Sequence, residues 1–309
     1  MLSIFMFLYY CRFLIVFLLT GLICPVFAQP DLSKPLGTTI ADTGSKFYRF
    51  EKFELDSEDK ERHYRIVVAI PKAETPEKGF PVIYLLDGNS VLAALNDELF
   101  SRLEIPFPVI VAVGYQTDLR FDVVSRAFDY TPVLPDGSKP KDDRGRKGGG
   151  ADLFAEFIET KIKPKTESFV QINKHRQTIW GHSYGGLFVL NTLFKHPEMF
   201  QNYVAAEPSF WWENGVILKI AEQFAEQTAQ TGVGIKELSL AVFVGRGSLP
   251  QQRNKNRSDI RRSVPFDTVE NLVKRLTPML KVVTFHVFED LTHGELFPVS
   301  IEPALKFSQ

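Results

Sequence analysis

The feature that most constrains this chain is a series of short, largely apolar runs separated by helical or turn-rich segments. Pro81-Val82-Ile83-Tyr84-Leu85-Leu86 ends in Asp87-Gly88-Asn89, and Pro108-Val109-Ile110-Val111-Ala112-Val113-Gly114 repeats the pattern. Gln177 to Trp180, Tyr203 to Ala206, Leu238 to Val244 and Val282 to Phe288 follow. Runs this short and apolar on both faces suit strands of a parallel sheet covered by helices on either side. Between them, Leu153, Phe154, Phe157, Ile158 and Ile162 share one helical face, with Pro164 near its end. Leu187, Leu190, Leu193 and Phe194 mark a second helix, and residues 266–277 a third.

Strands alternating with helices imply right-handed crossovers and an α/β fold with a mostly parallel central sheet. Residues 46–55 and 62–70 carry alternating or continuous apolar residues with charges between them, which predicts an N-terminal antiparallel hairpin. Pro, Gly, Lys and Asp dominate 131–150, a long surface loop closed by Gly148-Gly149-Gly150. No repeat or second core interrupts the pattern, so a single domain over 40–309 is expected.

The first 28 residues do not belong to that domain. Arg12 is their one charge; the apolar run Phe13 to Ile23 follows, then Pro25 and Val26-Phe27-Ala28. This reads as a signal peptide cut after Ala28, which makes the protein periplasmic or secreted. The alternative is a retained anchor associating with the membrane, because Leu2 to Phe27 is long enough to span a bilayer. Cys11 and Cys24, the only cysteines, both lie in this segment. A mature chain without them has no disulfide, thiol nucleophile or cysteine metal site. Over the full sequence, 36 Lys+Arg against 37 Asp+Glu give no general attraction to nucleic acid, which is disfavoured as a partner.

The chemistry is carried by Gly181-His182-Ser183-Tyr184-Gly185-Gly186, placed between an apolar strand and a helix. A serine hydroxyl becomes a useful nucleophile when it is exposed, served by a base and set against an oxyanion hole. A sharp strand-to-helix turn exposes it, and the crowded backbone there demands small neighbours. The base in such a fold comes last in the chain, on a loop after the final strand, and His293 in Glu289-Asp290-Leu291-Thr292-His293-Gly294 fits that place. His63, His175, His182, His196 and His286 fit it less well.

Five segments then occur in a telling order. They are Asp87-Gly88-Asn89, Arg126-X-X-Asp129-Tyr130-Thr131-Pro132, Gly148-Gly149-Gly150-Ala151-Asp152, the serine segment, and Pro208-Ser209-Phe210-Trp211-Trp212. Together they resemble the esterase D-like α/β-hydrolases, the putative-esterase family. The nearest branch is the periplasmic siderophore esterases that open the trilactone of enterobactin and salmochelin. The resemblance implies Ser183 as nucleophile, His293 as base, and the backbone N–H groups of Asn89 and Tyr184 as the oxyanion hole.

The same resemblance sets Arg126 beside the substrate, against the alternative of a structural ion pair with Asp129. It makes Trp211 and Trp212 walls for an aromatic ligand, or core packing for one of them. The sequence departs from the family at the acid. The strand ending Val242-Phe243-Val244-Gly245 is followed by no Asp or Glu through Ser258. The site is then a Ser–His dyad, or Glu207 supplies the carboxylate where the family has serine; Asp259 and Asp267 are further candidates.

Two basic stretches, Lys139 to Lys147 and Arg253 to Arg262, are either solvated loops or a cationic rim for an anionic ferric siderophore. The expected activity is carboxyl-ester hydrolysis through an acyl-enzyme on a catecholate siderophore trilactone or a similar bulky small-molecule ester, with no metal or organic cofactor. The alternatives are a general carboxylesterase or acyltransferase, and a binding protein that keeps the fold without turnover.

Overall fold

In a computed structural model of the chain, the residues described are 33–142, 144–231, 235–248 and 266–309. The leader 1–28, with Cys11, Cys24 and Arg12, lies outside them, as do Asp259 and the second basic stretch. Among the described residues no helix is long and apolar enough to cross a membrane.

The chain runs α1 (Ile40–Thr43), β1 (Tyr48–Asp56), β2 (His63–Pro71), β3 (Phe80–Leu86), α2 (Gly88–Leu92), α3 (Asp97–Phe100) and β4 (Val109–Tyr115). Then come α4 (Ser125–Asp129), α5 (Ala151–Phe157), a π-helical turn (Ile158–Ile162), α6 (Lys163–Glu167), β5 (Ile172–His182), α7 (Tyr184–Lys195) and β6 (Asn202–Ala206). The described chain ends with α8 (Val216–Thr231), β7 (Ser239–Gly245), α9 (Phe266–Leu276), β8 (Val282–Phe288), α10 (His293–Val299) and α11 (Ile301–Phe307).

The strands form one sheet of order β1-β2-β4-β3-β5-β6-β7-β8. The hairpin β1–β2 and the pair β2–β4 are antiparallel; every pairing from β4 to β8 is parallel. The expected α/β-hydrolase architecture with its antiparallel hairpin is therefore present. Strands β3, β4 and β7 are buried at every residue. That is why they read as unbroken apolar runs. The edge strands β1 and β8 alternate between more and less exposed positions, because a helix layer covers one face only.

Side chains on the two faces feed two cores. Val82, Tyr84 and Leu86 join Phe154 and Phe188 on one side, while Ile83, Leu85, Trp180 and Leu296 meet on the other. Each such side chain stabilises the fold by about 1.5–3 kcal/mol. Trp180 packs edge-on against Phe297 at 5.3 Å, which docks α10 on the end of β5. The helix expected to close near Pro164 instead continues through the π-turn into α6, because Pro164 falls in the first turn of α6.

Candidate active site

Three of the central strands end in backbone that non-glycine residues rarely adopt. Asp87 after β3 has φ 54°, Ser183 after β5 has φ 61° and Glu207 after β6 has φ 43°. Each such position costs on the order of 1–3 kcal/mol, and such strain clusters at functional sites. The register Leu85↔Trp180 and His182↔Ala206 brings these turns together at the C-terminal ends of the parallel strands.

The serine turn is built from close backbone approaches. A Cβ on Gly181 would lie 2.3 Å from the Gly185 carbonyl oxygen, so only glycine permits the bend. Ser183 caps α7; its N–H donates to the Ala206 carbonyl at 3.0 Å, and its carbonyl accepts from Leu187 N–H at 2.9 Å. Ser183 Oγ is 3.3 Å from Ser209 Oγ, a neighbour that sequence reading passed over although it stands in the quoted Pro208-Ser209 segment. Tyr184 is the first residue of α7 and Asn89 the second of α2. Backbone N–H groups in a first turn have no partner within their helix.

The Asn89 side chain is occupied elsewhere. Its amide nitrogen donates to the carbonyls of Tyr115, Thr117 and Leu119, while its oxygen accepts from Tyr115 N–H. It is thus a strut that fixes the turn.

His293 was expected on a loop, and the structure corrects this: it is the first residue of α10, whose cap is the reciprocal Thr292–Glu295 box. Its Nδ1 is 3.9 Å from Glu207 Oε1. Glu207 Oε2 also accepts the Gly245 N–H at 2.5 Å, which fixes the carboxylate between β6 and β7. Gly245 and Gly247 allow the segment before His293 to come near. A Cβ on Gly245 would stand 2.3 Å from the Leu291 carbonyl oxygen. Of the other acid candidates, Asp267 is exposed in the first turn of α9 and Asp259 lies outside the described residues.

His182 lies under this arrangement. Its Nε2 is 2.8 Å from the His293 carbonyl, which can only accept, so that nitrogen carries the proton. The two imidazoles lie with centroids 4.6 Å apart, tilted by 48°. Burial, then the neighbouring His293 and Arg126, hold the His182 pKa well below the usual histidine range.

Arg126 does not pair with Asp129. Its Nε and Nη2 fork onto Asp87 Oδ1 and Oδ2 at 2.8 and 2.9 Å, and Asp129 is taken by Arg62 Nε at 3.1 Å. The reason is topological. Asp129, on the far side of α4, faces β2 and β4, where the hydroxyls of Tyr64 and Tyr115 also donate to it at 3.0 Å each. Burial pushes the Asp129 carboxyl up to about 7, against the pull of Arg62. Trp212 is 3% exposed and belongs to the core, whereas Trp211 is half-buried with its ring 6.0 Å from that of Tyr184. In the long loop Arg146 pairs with Asp142 and donates to the Val123 carbonyl, and Lys139 lies over the Phe128 ring.

Comparison with known proteins follows the same lines. Residues 57–259 match the family model described as "Putative esterase". The apo-salmochelin esterase of Escherichia coli O6:H1 is 39% identical over 92% of this chain and 87% of its own length. The ferri-bacillibactin esterase BesA of Bacillus subtilis is 34% identical over 82% of this chain and 87% of its own. Among solved structures, the enterobactin hydrolase IroE in complex with DFP superposes with a TM-score of 0.71 at 36% identity, covering 87% of this chain and 98% of that one. The chain belongs to the putative-esterase family of α/β-hydrolases and is an esterase.

Proposed function

We propose that the protein hydrolyses the ester bonds of a catecholate siderophore trilactone through an acyl-enzyme on Ser183. The observation that carries this is the strained Ser183 at the C-terminal strand ends shared with the Glu207–His293 pair and two helix first turns. Relatives named for salmochelin, bacillibactin and enterobactin support the substrate class. The domain over 40–309 carries the reaction, delivered outside the cytoplasm by residues 1–28.

Ser183 Oγ bonds to the ester carbonyl carbon while His293 takes its proton. The negative charge on the carbonyl oxygen meets the N–H groups of Asn89 and Tyr184 and the positive end of α7. The C–O bond to the alcohol breaks, and His293 returns the proton to that oxygen. Water repeats the sequence on the acyl-serine, releasing the carboxylic acid and restoring Ser183. Glu207 orients and stabilises the imidazolium, and Trp211 offers a face to an aromatic ring. No step requires a metal or organic cofactor.

The test incubates the mature protein with apo- and ferric enterobactin and reads linear products by mass spectrometry, with p-nitrophenyl butyrate as a simple ester. Ring opening that Ser183→Ala abolishes, together with fluorophosphonate labelling of the wild type alone, is expected. Equal rates in wild type and Ser183→Ala would refute the serine mechanism. Turnover of the simple ester without ring opening would refute the substrate class.

A further inference from the structure

The cation at the heart of the site is already engaged. Both carboxylate oxygens of Asp87 accept from Arg126, whose Nη2 also reaches the His182 carbonyl at 3.4 Å. Asp87 immediately precedes Gly88-Asn89, and His182 immediately precedes Ser183. One guanidinium therefore touches both turns that supply the N–H groups used above. Its position is fixed by aromatic faces: Tyr130 at 5.3 Å, Tyr184 at 5.6 Å and Phe121 at 5.8 Å from its central carbon. Tyr130 secures the same turn a second way, because its hydroxyl accepts the Asp87 N–H at 3.1 Å. The Asp87 side chain is 1% exposed and that of Arg126 12%. The edge of the guanidinium that forks onto a carboxylate is thus spent inside the protein.

We propose that Arg126 is a positioning residue that locks the β3 turn to the serine turn and so sets the spacing of the oxyanion hole, rather than a ligand for the substrate's charge. Asp tolerates left-handed backbone better than most residues, yet φ 54° still carries a cost that such a tie offsets. Gly88 shows how close the turn sits to its neighbour strand: a Cβ there would lie 2.6 Å from the Ala112 carbonyl carbon. This inference rests on the oxyanion assignment given above.

The two roles separate by substrate. Arg126→Lys keeps the charge but cannot fork onto Asp87, and Asp87→Asn keeps the shape but loses the charge. If Arg126 positions, both variants lower kcat on neutral p-nitrophenyl butyrate and on ferric enterobactin alike. Displacing an oxyanion donor by a fraction of an ångström is worth about 10- to 100-fold. KM stays within about twofold, and the double variant falls no further than the worse single one. A rise in KM confined to the anionic siderophore, with kcat on the neutral ester unchanged, would overturn the proposal and make Arg126 a substrate ligand.

Amide hydrogen exchange supplies a readout independent of turnover. Residues 87–90 and 183–185 should exchange faster in Arg126→Lys while the rest of the sheet keeps its protection. Unchanged protection there would also refute the clamp. If the wild type opens no ester, the oxyanion assignment fails by that result alone, and hydrogen exchange still decides whether Arg126 ties the turns.

Discussion

Replacing Glu207 with Gln tests whether this chain has a third catalytic partner. The substitution removes a charge from beside His293 and keeps an oxygen that can accept the Gly245 N–H, so the strand ends should hold their places. At the 3.9 Å separation, two unit charges attract by about 1 kcal/mol in water and about 4 kcal/mol at the effective dielectric of a protein surface. The side chains are 27% and 17% exposed, so solvent screens part of this and about 1–2 kcal/mol remains. The attraction exists only once His293 has taken the serine proton, so it lowers the barrier and leaves substrate binding alone. That converts to a loss of roughly 5- to 30-fold in kcat. His293 also opens α10, where the helix dipole disfavours a cation and leaves more for the carboxylate to offset. The assay is steady-state hydrolysis of p-nitrophenyl butyrate by wild type, Glu207→Gln and Glu207→Asp, with urea unfolding of each. The expected result is reduced kcat at similar KM and stability, with partial recovery in Glu207→Asp. If kcat of Glu207→Gln stays within twofold of wild type, the carboxylate is structural and the site is a Ser–His dyad.

Gly245→Ala should impair the base without touching the serine. The new methyl group would lie 2.3 Å from the Leu291 carbonyl, two residues before His293, and must displace that segment. A loss in kcat of about 100-fold is expected; wild-type rates would show that the segment yields freely. His182→Gln should change how stability responds to acid. Because the folded pKa of His182 lies below its unfolded value of 6.5, the unfolded chain binds the proton first, and stability is lost as pH falls below 6.5. The slope from this one group is at most about 1.4 kcal/mol per pH unit. The variant should lack that part of the slope in urea titrations between pH 7 and 5. Parallel curves for the two proteins would contradict a buried neutral imidazole.

The central sheet was legible because burial on both faces leaves unbroken apolar runs at Val82–Leu86, Val109–Val113 and Leu240–Val244, and such runs admit few other readings. The serine turn was legible because its bend demands Gly181. Strand β5 begins earlier than its apolar part, at Ile172, since Asn173 to Arg176 lie at the open end of the sheet where polar residues carry no penalty. Helix α8 was not anticipated, although Ile217, Ile220, Ala221 and Phe224 recur at helical spacing; residues 207–215 separate it from the strand run before it. The partner of Arg126 could not be read from sequence. Asp129 is three residues away and Asp87 is 39, but α4 turns Asp129 toward the hairpin while β3 delivers Asp87. Pairing at the strand ends follows strand order, which local spacing does not encode.

That strand order also explains why three strained residues coexist. Asp87, Ser183 and Glu207 end β3, β5 and β6, which are adjacent in the sheet although about 96 and 24 positions separate them in sequence. Each is held from outside its own turn. Arg126 and Tyr130 hold Asp87, the Ala206 carbonyl holds Ser183, and Phe243 and Gly245 hold Glu207 through backbone hydrogen bonds. The Ser183 tie comes from β6 and the Glu207 ties from β7, so each strand end braces the one before it. A change at one turn should therefore travel along the C-terminal strand ends toward Ser183, while substitutions at the opposite end of the strands, such as at the exposed His175, should leave the rate alone. The strain is sustained by the parallel sheet itself, which is the physical reason the reactive groups sit at this end of the strands.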